Sequence, residues 1–274
     1  MKKVIKQFLP PIFLNLYRAI SGARFGFKGD YSSWQDAENE CRNGYAAAPI
    51  FNSVTQAALK VKSGEFFCER DSVLFDSPQY SWESLACLMH VAARSSGRLN
   101  VLDFGGSLGS SYFNNRRFLA GLSVNWSVVE QEHFVSFGAE HLEDHILHFD
   151  KTIDDSVSSH QPDVILLSSV LHYLPEPYDW LNRLLAVGSP FILIDRTPTG
   201  RTGRDVIKVQ KVHPSIYTAS YPCRILDMQK LLNTLENHNY RILETFPTKI
   251  DGHIKGGEYI GIFAERRTQS DSSK

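Results

Sequence analysis

The 274-residue sequence predicts an α/β fold with a largely parallel central sheet, and three observations carry that prediction. Strand-length apolar runs recur at residues 99–104, 124–130, 145–149, 163–168 and 191–195, with room for a helix between most successive runs. The first run opens into Gly105-Gly106-Ser107-Leu108-Gly109, whose glycines permit a sharp turn and close approach of backbone to a ligand. Asp103, Glu130, Asp150, Ser168 and Asp195 all fall at strand carboxyl ends, where open parallel sheets bind ligands.

The elements follow in order. Ser32 or Ser33 can cap a helix over 34–42, Asn52 or Ser53 another running to 62, and Ser81 a third over 82–93. The segment 67–80, dense in acids and aromatics, reads as a lid or as a plain connecting loop. Right-handed crossovers then join the five strands. Helix 227–237, strand 240–246 and strand 258–264, the last preceded by Gly256-Gly257, complete the chain. The boundaries drawn are a helical extension or cap over 1–95, the sheet domain over 96–266 and a disordered tail over 267–274.

Composition excludes several classes. A net charge of −1 gives no basic face for nucleic acid. Cys41, Cys68, Cys87 and Cys223 are scattered without a Cys-x-x-Cys pair, so neither a zinc site nor a disulfide scaffold is indicated and a reducing compartment fits. No cluster of His or acids has metal-ligand spacing, so no metal is assigned. The start, with Lys2, Lys3 and Lys6 ahead of an apolar stretch, superficially resembles a signal peptide, but Pro10-Pro11, Asn15 and Arg18 interrupt it. It reads either as a segment packing on the protein or as a basic amphipathic piece making weak contact with an inner membrane surface.

The turn, Asp103-x-Gly105-x-Ser107-x-Gly109, resembles motif I of class I S-adenosylmethionine (SAM)-dependent methyltransferases, with Ser107 where a glycine is usual. A dinucleotide site shares the glycine logic, but Asp103 would repel a phosphate and suits an amino or sulfonium group. The resemblance implies a Rossmann-like seven-stranded sheet with an antiparallel last strand, helices on both faces, and SAM as cofactor. Its cofactor-binding residues would be Asp103, Gly105, Gly106, Ser107, Gly109, Glu130, Gln131, Phe149, Asp150 and Ser168. Glu130, about 20 residues past the turn, stands where a carboxylate binds ribose hydroxyls, against the alternative of a surface acid. Phe149 or Asp150 would contact adenine, against the alternative of a core aromatic beside a loop acid.

Across residues 8–265 the chain also looks like a bacterial family of methyltransferases often encoded with surface-polysaccharide genes. Phe8-Leu9-Pro10-Pro11, Gly29-Asp30-Tyr31-Ser32-Ser33-Trp34, residues 167–175, Ile194-Asp195-Arg196-Thr197-Pro198 and residues 221–225 carry that likeness. It implies a small-molecule or glycan-precursor acceptor and a cytoplasmic location, where SAM is supplied. His172 and His213 are the candidate general bases, His172 alternatively being structural. Arg196, Tyr217, Tyr221 and Arg224, in or beside the insert after the fifth strand, are candidate acceptor contacts. The competing functions are a non-catalytic SAM-binding subunit and a nicotinamide-dependent oxidoreductase or epimerase.

Overall fold

The computed structural model describes residues 26–41, 48–70, 72–212, 219–248, 254 and 256–268. The expectations for residues 1–25 and for the tail from 269 onward fall outside them, as do His213 and Tyr217.

Strand β1 (Gly26–Tyr31) leads into helices α1 (Trp34–Asn39) and α2 (Ala48–Lys62). Ser33 caps α1, its side chain accepting from the Asp36 N–H at 3.1 Å. A two-stranded hairpin follows, β2 (Cys68–Arg70) and β3 (Val73–Phe75), then α3 (Trp82–Arg94). The leader is therefore not wholly helical. The segment 67–80 folds in part as this hairpin.

From there strands and helices alternate: β4 (Arg98–Phe104), α4 (Ser110–Leu119), β5 (Ser123–Val129), α5 (Glu132–His141), β6 (Leu147–Asp150), α6 (Ile153–Ser159), β7 (Val164–Ser168), α7 (Pro177–Ala186) and β8 (Phe191–Gly200). The chain continues through β9 (Val206–Lys211), β10 (Ser220–Asp227), α8 (Met228–Asn237), β11 (Tyr240–Pro247) and β12 (Gly257–Arg266). The central order is β6-β5-β4-β7-β8-β12-β11. β4 to β8 pair parallel, and β12 is antiparallel to both β8 and β11. The fold is thus Rossmann-like, with seven core strands closed by an antiparallel last strand.

The sheet is larger than seven strands, which corrects the expected count. β8 runs five residues beyond the 191–195 foreseen, and its end pairs parallel with β10 through Leu226 and Asp227. β10, β9 and β1 form an antiparallel wing, so that β10 takes the edge β7 leaves free. Alternating burial along β9, with Ile207 and Val209 inside against Ala37 of α1, explains why the insert forms strands.

Alternate residues of the parallel strands feed two cores. Val101, Val128, Leu166 and Leu193 pack against α2, α3, α4 and α5. Leu102, Ile165, Leu167 and Ile194 pack against α7 and α8 on the other face. Both faces are covered, and the chain reverses direction across the sheet between β4 and β7, so the ligand crevice expected of such folds opens at the carboxyl ends of those two strands.

Candidate functional site

A cavity of about 1490 Å3 opens at that crevice. The glycine turn forms its floor. Gly105 has φ +71, and a Cβ there would collide with Val170. Gly106 lies so close over Asp103 that a Cβ would sit 2.5 Å from the carboxyl carbon. Ser107, standing where a glycine is usual, still adopts φ +55. Among the described residues six non-glycines have positive φ, and four of them, Ser72, Ser107, Ser169 and Arg196, line this cavity. Strain of this kind costs about 1–3 kcal/mol per residue and gathers where a ligand fixes the backbone's shape.

Asp103 is beneath the floor and outside the cavity wall. It is fully buried, accepts from the Trp126 indole N–H at 3.0 Å, and its Oδ1 has no hydrogen-bond partner among the described residues. Desolvation pushes its pKa up to about 7, with the Trp126 bond and Arg196 opposing. Its position beneath Gly106 corrects the expectation of direct ligand contact. Gly109 likewise stays off the wall, packed toward Leu147 as the N-cap of α4.

Glu130 reaches the cavity from the end of β5. Its carboxylate accepts from the Gln131 N–H at 2.6 Å and from the Ser107 backbone, and Gln131 lines the cavity beside it. Desolvation raises its pKa, while the two backbone donors favour the charged form. A carboxylate so held presents its remaining lone pairs to hydroxyl donors.

β6 departs from expectation. Phe149 turns into the core against Gly138, and Asp150 accepts from the Ser127 hydroxyl, so neither lines the cavity. The next residues, Lys151, Thr152 and Ile153, do. Pleat and register decide this: Leu147 and Phe149 share the inner face.

At the ends of β7 and β8, Ser168 accepts from the Arg196 guanidinium at 3.2 Å, and Arg196 Nε lies 4.0 Å from Asp195. Asp195 accepts the Arg196 N–H at 2.8 Å and a hydrogen bond from Ser84. Two residues of β8, Asp195 and Arg196, oppose the single Gly261 of β12, a bulge that turns this pair toward the cavity. Burial raises the Asp195 carboxyl, with Arg196 opposing.

His172 is the clearest departure. It is 0 % exposed, absent from the cavity wall, and neither ring nitrogen has a partner among the described residues. Burial, and secondarily Arg196, lower its pKa to about 3. Following the fourth strand of the alternating core does not bring its ring to the ligand, because the 3-10 turn 171–173 points it inward. Arg224 also stays off the wall: it donates to the Pro175 carbonyl at 2.5 Å and lies over Trp34, 5.3 Å from the ring centroid. Tyr221 does line the cavity, edge-on to Tyr173 at 5.2 Å.

Sequence reasoning foresaw a cap over 1–95 and a lid or loop at 67–80 but named none of the residues that form the cover. Trp34 and Glu38 of α1 line the cavity, as do Glu69 and Arg70 of the hairpin. Glu69 accepts from the Ser110 hydroxyl, at the first residue of α4, and from the Ser72 N–H at 3.0 Å. The acid therefore stands at the positive end of the helix that follows the glycine turn.

No protein-family model matches this chain, and no curated protein matches it at a significant level. Solved structures similar to it include the [4+2]-cyclase SpnF, at 15% identity and TM-score 0.49, covering 80% of this chain and 94% of that one. The N-terminal domain of EvdMO1, crystallised in the presence of S-adenosylhomocysteine (SAH) and D-fucose, matches at 16% and 0.47, covering 82% and 100%. The Burkholderia thailandensis 1,6-didemethyltoxoflavin-N1-methyltransferase matches at 14% and 0.42, covering 83% and 94%. These TM-scores lie below 0.5, so nothing about the chemistry of this chain follows from them.

Proposed function

We propose that this chain is a SAM-dependent methyltransferase that methylates a hydroxyl of a small-molecule or glycan-precursor acceptor. The observation that carries this reading is Glu69 at the first turn of α4. In a dinucleotide site that helix end receives a pyrophosphate. Here the Glu69 carboxylate already stands there, so the local field repels phosphate and favours a nucleoside carrying positive charge. Glu130, held by two backbone donors at the end of β5, suits the ribose hydroxyls of such a nucleoside.

SAM when bound supplies a methyl group on an electrophilic sulfonium, which leaves the protein chiefly the work of alignment. Gly105, Gly106 and Ser107 shape the floor, and Gln131 and Ile153 flank the nucleoside. Ser168 and Arg196 orient the acceptor side, with Tyr221 above them. Asp195, raised by burial and set at the cavity wall by the bulge, replaces His172 as acceptor of the hydroxyl proton. On this reading residues 96–266 transfer the methyl group and the leader supplies the cover.

The test is a calorimetric titration of the purified protein with SAH beside NAD. Saturable binding of SAH alone, weakened at least tenfold in a folded Glu130→Gln variant, is the expected result. Binding of NAD in preference to SAH overturns the reading. SAH binding without methyl transfer to any hydroxylated acceptor would instead point to a non-catalytic subunit.

A further inference from the structure

The cavity exceeds the roughly 300–1,000 Å3 that commonly holds one small ligand. One part of its wall lies between the loop ahead of α3 and the first turns of α4, lined by Gln79, Tyr80, Trp82, Ser111, Asn114 and Asn115. Aromatic rings make one side. Tyr80 and Trp82 lie 4.8 Å apart between centroids, and Phe118, which does not itself line the cavity, stands 5.1 Å from Tyr80 and 5.5 Å from Trp82. Trp82 is 58% exposed and Phe118 41%; among the described residues Val73 is the other exposed large apolar side chain.

Amides make the other side. Asn115 is only 8% exposed; its Nδ2 donates to the Ser111 carbonyl at 2.9 Å, and its Oδ1 has no hydrogen-bond partner among the described residues. Asn114, half-buried, donates to the Gln79 carbonyl at 2.9 Å, and its Oδ1 is likewise unpartnered among the described residues. Two buried acceptors lacking donors are a debt that a ligand rich in hydroxyls settles. A purely aliphatic ligand would leave them unmet. The unpartnered oxygens would repel an anion, and Arg117 is engaged over Phe67 at 5.6 Å.

A pyranose ring meets both demands, with a flat C–H face for the exposed aromatics and hydroxyl donors around its rim. We propose that this wall is a second-sugar subsite, so that the acceptor is an oligosaccharide whose distal ring stacks on Trp82 while its proximal ring reaches Asp195 and Arg196. The placement of the proximal ring rests on the methyltransferase reading; the subsite itself does not.

The experiment applies wild type, Trp82→Ala and Trp82→Phe to an array of bacterial oligosaccharides and their component monosaccharides, with SAH calorimetry on the same preparations. The expected result is oligosaccharide binding by wild type, lowered at least fivefold in Trp82→Ala and restored in Trp82→Phe, with weaker monosaccharide binding and unchanged SAH affinity. Trp82 is largely exposed, so the variants keep the fold. Wild type that binds SAH but no saccharide, or saccharide binding indifferent to Trp82→Ala, overturns the subsite and leaves the methyltransferase reading intact. Saccharide binding without SAH binding upholds the subsite and overturns that reading. Trp82-dependent pelleting with anionic phospholipid vesicles in place of saccharide binding would assign the patch to a membrane surface and overturn the proposal.

Discussion

Glu69 of the hairpin accepts a hydrogen bond from Ser110 at the first residue of α4, joining the leader to the glycine turn across 41 residues. The pair puts a negative charge where the helix is most positive. Glu69→Gln keeps the shape and removes the charge. SAM affinity is then expected to fall about three- to tenfold, or about 0.7–1.4 kcal/mol, and SAH, which lacks the sulfonium charge, to lose less. Calorimetry with both ligands checks this, and equal losses would disprove the electrostatic role.

Asp103 gives a pH signature. Its carboxyl ionises near the ordinary 3.8 when unfolded and at about 7 when folded, so the folded state holds the extra proton between those values. Stability from this group is present at low pH and is lost as pH rises from about 4 to about 7. Asp103→Asn removes that slope while retaining an oxygen acceptor for Trp126. Urea midpoints at pH 5 and pH 8 should show the variant gaining on wild type by an amount on the order of 1–4 kcal/mol at the higher pH. A difference independent of pH would show that the carboxyl titrates normally.

Gly106 separates packing from backbone freedom, since its φ is not positive. A methyl group there meets the Asp103 carboxyl carbon at 2.5 Å. Gly106→Ala should therefore cost about 1–3 kcal/mol by overpacking and weaken SAH binding at least tenfold. Combining it with Asp103→Ala, which vacates the space, should recover much of the loss in thermal midpoint. Additive losses would place the clash elsewhere.

Burying both unpartnered ring nitrogens of His172 carries a penalty of about 1–3 kcal/mol. His172→Leu offsets that with an apolar side chain, so its thermal midpoint is expected to stay level or rise by a few degrees. A fall of more than about 5 °C would show that the imidazole has an essential polar role.

The parallel core and closing hairpin are legible in the sequence because buried strands write themselves as continuous apolar runs. Glu130 is legible for a related reason: a strand end followed by a helix fixes where its side chain emerges. Phe149 and Asp150 are not, since a shift of one residue in the pleat exchanges wall for core and the sequence carries no register. His172 escapes for the same kind of reason, because a single 3-10 turn decides whether its ring faces inward. Glu69, Trp34 and Asn115 are illegible at a deeper level. Their importance arises from docking of the leader on the sheet domain, which no local pattern encodes.

Strand β8 belongs to both the central sheet and the wing, with Asp195 and Arg196 at the joint. The Asp195–Arg196 wall of the site and the wing beside it are consequently tied to one piece of backbone, clamped by β12 along nearly its whole length. A molecule entering or leaving cannot do so by parting those two. The hairpin is a separate piece, joined to the sheet domain on this side through Glu69 and Ser110, and β8 is the frame it faces.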